Sequence, residues 1–291
     1  MSVKTALLSS KTLLVGAVII VGFIVTAIIS ALDLKLLTPY DPNKINFALA
    51  NLPPSSDHLF GTDSEGRDVF TRVLAALPND VAIPYIIAGA SALIGGLVGM
   101  VSGYVGGLVD EGLMRFTDIF LAFPGILLAL AISTILGQTH VAERLYFSMI
   151  ALIVVNWPIY ARLVRSQVLQ VRGMPYITLA KAAGLTRWEI MRRHIIPNIL
   201  SLVIVYITLD MGTIILFYSI LAFFGLGAPP PTPELGRMVY DGLTALPGNW
   251  WSSVFPALTI TLMAVGFSLF GEGLRDYLDP RGGDYVRRAN A

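Results

Sequence analysis

Six long stretches of this 291-residue chain carry almost no charged side chain. A helix needs about 20 apolar residues to cross the hydrocarbon core of a bilayer, so uncharged runs of that length predict membrane-spanning helices. The composition agrees, because 55% of the residues are hydrophobic and only 13% are charged. We therefore expect an all-α membrane protein with six transmembrane helices, in the stretches 12–32, 81–109, 119–142, 145–161, 195–233 and 242–271.

The first stretch and the distribution of basic residues predict the topology. Lys4 and Lys11 precede the first stretch, as in a secretory signal, but its apolar run is longer than a signal core and no small-residue cleavage site follows. An uncleaved first helix is therefore expected. With the N-terminus inside, 14 of the 20 Lys and Arg residues fall in cytoplasmic segments, in line with the usual bias of membrane proteins. Both termini of a multi-pass protein in the cell membrane are thus predicted to be cytoplasmic.

The external segment 33–80 is too long for a simple turn. Its first half is rich in proline, which favours turns and extended chain. Thr62 and Glu65 have the spacing of a capping box, which predicts a helix that starts there and ends at Pro78. Apolar residues fall on one face of this helix and polar residues on the other. It would therefore be amphipathic, lying either in the outer membrane interface or on the rim of the bundle.

Two features inside the stretches bear on packing. Asp210 is the only charged residue within a stretch, and a carboxylate at mid-bilayer costs about 2.5–3.5 kcal/mol, so it should face a cavity or a partner. A hydrogen bond to a neighbouring helix is favoured over a functional role. Small residues that recur every four positions let helix backbones approach closely, within the bundle or at a subunit interface. They are Gly95, Gly99 and Gly103, with Ala88, Ala92 and Gly96 on an adjacent stripe.

The segment 174–198 is unusually polar for so apolar a chain. Pro175 suits the first turn of a helix, where its missing N–H group would have had no partner. Gly184 suits the left-handed residue just past the end of that helix. Thr186 and Glu189 predict a capping box that opens a second helix. The expected shape is a short helix, a sharp turn and a second capped helix on the cytoplasmic side.

Several kinds of chemistry are missing from the sequence. There is no cysteine, and the three histidines, His58, His140 and His194, lie in separate loops, so no metal site is expected. No lysine follows a glycine, as a nucleotide-binding P-loop requires, and the serine-hydrolase elbow and zinc-protease motif are absent. The net charge of +1 gives no reason to expect nucleic acid as a partner. A conduit driven by another protein fits better than an enzyme.

The predicted helix–turn–helix of residues 174–198, called the hairpin below, resembles the EAA loop of ATP-binding-cassette (ABC) importer permeases. The pattern of that loop is E-A-A-x3-G followed by about nine residues and I-x-L-P. Ala180 matches the second alanine and Gly184 the glycine, while Ile196 and Pro197 match the last two positions. Thr178 stands where the family has glutamate. Leu179 stands in place of the first alanine. The ending R-H-x-x-P-N of the peptide-permease branch is matched by Arg193, His194, Pro197 and Asn198.

Other segments agree with the same branch, in order along the chain. Residues 60–63 and 66–69 match its FGTD-x-x-GRDV segment, and residues 224–227, 230–233, 236, 273–276 and 278–281 match its C-terminal signature. Tyr218 departs from it, because many relatives carry an acidic residue there. The resemblance covers about residues 39–281 and identifies the chain as a member of the C-type permease subunits of dipeptide and oligopeptide importers.

The resemblance implies a type I ABC importer permease fold with a cytoplasmic coupling helix. An external solute-binding protein would deliver the solute to a path formed with a homologous B-type permease subunit in the lipid bilayer. Two cytoplasmic ABC ATPase subunits would bind ATP and magnesium, and this chain would bind no cofactor. The candidate path residues are Asn156, Asp210 and Tyr218. The candidate coupling residues are Pro175, Tyr176, Thr178, Ala180, Lys181, Ala182, Ala183, Gly184, Arg187, Glu189 and Pro197.

These expectations divide the chain into four parts. They are an N-terminal tail with the first transmembrane helix (1–32), an external segment with an amphipathic helix (33–80), a five-helix permease core that includes the hairpin (81–274), and a cytoplasmic tail (275–291). An ion-coupled secondary transporter remains an alternative, although only Asp210 could serve as a coupling acid. A membrane scaffold subunit is a second alternative. Peptides, oligosaccharides and nickel all remain open as the solute.

Overall fold

The computed structural model describes residues 11–138 and 141–278, and this part of the chain is almost entirely helical. Five helical segments are long and apolar enough to cross a membrane, and a bent pair of helices makes a sixth. The predicted all-α, six-helix architecture is therefore confirmed. In chain order the helices are α1 (Lys11–Asp33), α2 (Val69–Val105), α3 (Gly107–Leu121), α4 (Gly125–Gly137), α5 (Arg144–Arg172), α6 (Pro175–Ala182), α7 (Arg187–Ile190), α8 (Ile196–Phe223), α9 (Leu235–Leu243) and α10 (Trp251–Leu278).

The bent pair is α3 and α4, which meet at 82°. A single straight helix over 119–142 was therefore the wrong prediction, because residues 119–121 belong to α3 and α4 begins at Gly125. Pro124 is the residue just before α4. The ring of a proline disfavours the helical conformation of the residue before it, so the break falls at Phe123 and Pro124.

Helix α2 runs from Val69 to Val105 and passes through Pro78 without ending. The predicted helix end at Pro78 is thus wrong. A proline leaves the carbonyl group four residues earlier without its helical partner, and here that carbonyl belongs to Leu74. The hydroxyl of Ser30 in α1 donates to the Leu74 oxygen at 2.8 Å. A neighbouring helix has satisfied the freed group, as membrane helices allow.

The predicted capping box of Thr62 and Glu65 is also wrong. The Thr62 hydroxyl instead donates to the Leu49 carbonyl at 2.5 Å and accepts from the Leu52 N–H at 2.8 Å. The N-cap of α2 is Asp68, whose carboxylate accepts from the Thr71 N–H at 2.7 Å. The chain before α2 is therefore an irregular segment, and the residues that were expected to form a separate amphipathic helix are the first turns of α2.

The glycine stripe of α2 packs on α5. A methyl group at Gly95 would overlap the Trp157 carbonyl oxygen and lie 2.6 Å from the Cβ atom of Tyr160. Gly99 and Gly103 face α5 in the same way, whereas a methyl group at Gly96 would meet nothing within 4 Å. The stripe therefore lets two backbones approach closely inside the bundle, as its spacing predicts.

The two ends of the bundle carry different structures. At the end where α2 and α10 begin, the irregular segment folds over the helices. There the Trp251 indole N–H donates to the Thr62 carbonyl at 3.0 Å, and the Phe60 and Phe255 rings stack with centroids 4.0 Å apart. At the end where α2 terminates, Tyr104 packs in one cluster with residues of α5 and of the hairpin. The 174–198 hairpin thus lies at the opposite end from the external segment.

Candidate functional site

Helix α6 is the first element of the candidate site. Pro175 is its first residue, as predicted. Ile177 and Ala180 are buried in the cluster formed with α2 and α5, so one face of the helix is fixed to the bundle. The rest of the helix is exposed and carries two large apolar side chains, Tyr176 at 40% and Leu179 at 69% of full exposure. An anchored helix with uncovered apolar side chains is a surface that a partner protein can bind.

Gly184 ends α6 in the predicted left-handed conformation, with φ of +83°. Its N–H group donates to the Lys181 carbonyl at 3.0 Å, and the Leu185 N–H group donates to the Ala180 carbonyl at 3.2 Å. These two bonds form a Schellman motif, which satisfies carbonyl groups at the end of the helix. A Cβ atom on Gly184 would touch nothing within 4 Å. Glycine is therefore favoured at this position by the backbone conformation and not by crowding.

The predicted capping box of Thr186 and Glu189 is confirmed. The Thr186 N–H group donates to a Glu189 carboxylate oxygen at 2.9 Å, and the Glu189 N–H group donates to the Thr186 hydroxyl at 3.3 Å. The box opens α7. It fixes the direction in which the chain leaves the turn at Gly184.

The second helix of the hairpin continues into the fifth membrane-spanning helix. After α7 the chain makes a π-helical turn over Met191–Ile195 and enters α8, so Pro197 does not stop the helix. Proline has no N–H group to donate, and the Ile196 N–H group just before it bonds five residues back, to the Met191 carbonyl. The hairpin is therefore joined rigidly to a membrane-spanning helix on this side.

Asp210 and Asn156 come together in the middle of the bundle. The carboxylate of Asp210, on α8, accepts hydrogen bonds from the Asn156 amide at 2.6 Å and from the Tyr160 hydroxyl at 2.8 Å, both on α5. Asp210 is buried. The hydrogen bond to a neighbouring helix that was favoured for Asp210 is therefore present.

Tyr218 belongs to a different cluster, which the sequence did not reveal. Its hydroxyl contacts the carboxylate of Glu234, which also accepts from the Ala228 N–H group at 3.0 Å. The Asp80 carboxylate on α2 accepts from the Leu235 N–H group at 3.1 Å. Tyr218, Glu234 and Asp80 are all buried. An acidic group thus lies beside Tyr218 after all, supplied from another part of the chain.

Burial raises the pKa of the Glu234 carboxyl group to about 7. The charged form of a carboxyl group loses its hydration when it is buried, so the protonated form is favoured. Side-chain and backbone hydrogen bonds to Tyr218 and Ala228, and the charge of Arg237, oppose this shift only in part. The protonated form of Glu234 is thus more favoured here than that of a carboxyl group in water.

Two of the three histidines lie in the part of the chain that the structure describes. His58 contacts the Asp68 carboxylate at 2.9 Å, His194 lies in the π-helical turn, and His140 falls outside the described residues. Within residues 11–138 and 141–278, no group of three His, Cys, Asp or Glu side chains could hold a metal ion. Most of the expected tail 275–291 also falls outside the described residues.

Residues 95–282 match the family described as "binding-protein-dependent transport system inner membrane component". The chain is 41% identical over 268 residues to a probable D,D-dipeptide transport system permease protein of Escherichia coli (strain K12), which covers 92% of this chain and 87% of that protein. It is 40% identical over 272 residues to a dipeptide transport system permease protein of Alkalihalophilus pseudofirmus, with 94% and 86% coverage.

An oligopeptide transport system permease protein of Bacillus subtilis (strain 168) is 36% identical over 273 residues, with 94% of this chain and 87% of that protein covered. All three relatives are named as permease proteins of transport systems. A bundle of membrane-spanning helices, a capped hairpin at one end and near-complete coverage of such relatives lead to one conclusion. The chain belongs to the family of binding-protein-dependent transport system inner membrane components, as a permease subunit of an importer.

Proposed function

We propose that α6 is the coupling helix through which a cytoplasmic ABC ATPase drives this permease. The observation that carries the proposal is the arrangement of α6, which buries Ile177 and exposes Tyr176 and Leu179 on its other side. The Schellman motif at Gly184 and the capping box at Thr186 fix the angle between α6 and α7. A displacement of α6 can therefore be transmitted to α8, whereas a flexible loop would absorb it. Trp188 in α7 is a further exposed apolar side chain of the hairpin, at 62% of full exposure.

The proposed assembly contains a homologous B-type permease subunit, two ATPases that hold ATP and magnesium, and an external solute-binding protein. In this arrangement both termini and the hairpin face the cytoplasm. The external segment then offers a cavity of about 220 Å³, lined in part by Arg67, Arg72 and Arg237, to external molecules. The basic residues concentrated around the hairpin support this orientation.

Impermeant thiol labelling in cells tests the orientation. The chain has no cysteine, so single cysteines can be placed at Ser64 and at Gln170, both of which are exposed and lie at opposite ends of the bundle. We expect Ser64→Cys to label from outside in intact cells and Gln170→Cys to label only after the membrane is opened. Labelling of both cysteines in intact cells would contradict the proposed topology.

The solute is proposed to be a peptide, because the relatives are named for dipeptides, oligopeptides and, in a protein of Pectobacterium atrosepticum, glutathione. We further propose that Asp210 and Asn156 border the path and that Tyr218 lies further out along it. Polar groups in the middle of a membrane bundle commonly mark such paths.

Asp210→Asn separates a role in the path from a role in packing. An asparagine oxygen can still accept from Asn156 and Tyr160, so the bundle should remain assembled. We expect solute import to fall about fivefold or more, because the negative charge beside the path is lost. Solute import is measured with the reconstituted complex. The yield of that complex, which should be unchanged, shows whether the bundle still assembles. Wild-type import would leave Asp210 with a packing role only.

A further inference from the structure

A cationic cavity of about 300 Å³ lies between the hairpin and the adjoining ends of α2 and α5. Three basic side chains line it, Arg172 from the end of α5, Lys181 from α6 and Arg187 from the start of α7. Tyr104, near the end of α2, adds a hydroxyl group. No acidic side chain is among the lining residues. The cavity therefore concentrates positive charge at one point of the surface.

Arg172 is held in place by α2. Its Nη1 atom donates to the Gly103 carbonyl at 3.2 Å and would lie 3.2 Å from a Cβ atom at Gly106. An arginine has five N–H donors in a fixed plane, so this one bond leaves most of them available. The guanidinium group is thus oriented before any ligand arrives.

The other polar groups of the cavity have no competing partner in the described part of the chain. Lys181 and Arg187, both exposed, form no ion pair there, and the Tyr104 hydroxyl makes no hydrogen bond there and stays open to the cavity. A ligand with several oxygen acceptors and negative charge would satisfy all four groups.

The position of the cavity identifies the ligand. In the orientation proposed above it lies at the cytoplasmic ends of α2 and α5, and its remaining lining residues, Val105, Leu185 and Ile190, are apolar. Basic pockets between membrane helices on the cytoplasmic side are suited to anionic headgroups. The geometry points to a binding site for the phosphate of an anionic phospholipid, which would link the cytoplasmic leaflet to the coupling hairpin. This inference rests on the orientation and coupling role proposed above.

Lipid retention by the purified transporter complex tests the site. The complex is reconstituted in nanodiscs of phosphatidylcholine with phosphatidylglycerol, and bound lipid is counted by native mass spectrometry. Each basic residue contributes about fivefold to binding an anionic surface, so the double variant Arg172→Gln/Arg187→Gln should lose about twenty- to thirtyfold in phosphatidylglycerol affinity. Tyr104→Phe should weaken it less. The matched control is Arg192→Gln/Arg193→Gln, two exposed arginines of the same hairpin outside the cavity, which should retain the lipid.

Three results would overturn the inference. They are retention of phosphatidylglycerol by the cavity variant, equal loss by the control variant, and displacement of the lipid by millimolar inorganic phosphate, which would make the ligand a soluble anion. A cavity variant that loses the ATPase but keeps the lipid would also contradict the inference, because it would show that the cavity binds an acidic surface of the ATPase. Lipid binding is read without transport or ATP hydrolysis, so a failure of the proposed coupling role would leave this measurement intact.

Discussion

Replacing Gly184 with valine should reduce both copurification of the ATPase and solute-stimulated ATP hydrolysis about tenfold, while the membrane bundle stays folded. Gly184 has φ of +83°, a conformation that costs an ordinary residue about 1–2 kcal/mol and a β-branched one more. The strain can be relieved only by changing the angle between α6 and α7. Because a Cβ atom here would meet nothing within 4 Å, no steric clash contributes to the effect.

Two further variants isolate the backbone conformation as the cause. Gly184→Asn should restore most of the activity, since asparagine tolerates left-handed backbone. Gly173→Val, on the other side of α6, should have little effect, because Gly173 has φ of −77° and room for a side chain. Gly106 in the neighbouring loop cannot serve as this control, because its φ is +75°. Wild-type coupling in Gly184→Val would show that the hairpin angle does not matter.

Gly95→Val should destabilise the bundle by about 3 kcal/mol or more and lower the yield of folded protein severely. A side chain at Gly95 overlaps the backbone of α5 at Trp157 and Ala161, and backbone atoms cannot move aside as a flexible side chain can. Overpacking a core ordinarily costs about 1–3 kcal/mol, and a clash with backbone lies at the upper end. The effect is measured as the midpoint temperature of thermal unfolding in detergent, together with the elution profile of the purified protein.

The matched control is Gly96→Val, one residue further along the same helix. A Cβ atom at Gly96 meets nothing within 4 Å, so this variant should fold as the wild type does. Both variants make the same chemical change in the same helix. Equal stability of the two would contradict the close packing of α2 on α5.

The hairpin could be predicted from the sequence because its structure is set by local chemistry. The Schellman motif at Gly184 and the capping box of Thr186 and Glu189 each involve residues at most five apart. The glycine stripe was predictable for a similar reason, since a four-residue period places small side chains on one helix face.

Two of the wrong predictions concern groups whose partners lie elsewhere in the chain. Pro78 does not end α2, because Ser30 supplies a hydrogen bond to the carbonyl that the proline frees. Thr62 has the spacing of a cap, but its hydroxyl bonds to the loop at Leu49. No local pattern contains either contact.

The buried acidic cluster was missed for the same reason. Asp80 accepts from the N–H group of Leu235, 155 residues away, and Glu234 reaches Tyr218 from outside α8. Glu234 follows a proline-rich turn, where an acidic residue ordinarily indicates exposed chain. Only the three-dimensional arrangement shows that its carboxylate lies beside the Tyr218 hydroxyl.

The most direct test of the coupling role is a photo-cross-link from α6 to the ATPase. Leu179, the most exposed large hydrophobic residue of α6, is replaced by cysteine and labelled with a photoactivatable reagent, which is selective because the chain has no other cysteine. On illumination of the assembled complex, we predict an adduct between this chain and an ATPase subunit, with a yield that changes when ATP is added. The same label at Ser64→Cys, at the other end of the bundle, should form no such adduct. Absence of the Leu179 adduct in a complex that still contains the ATPase would contradict the assignment of α6 as the coupling helix.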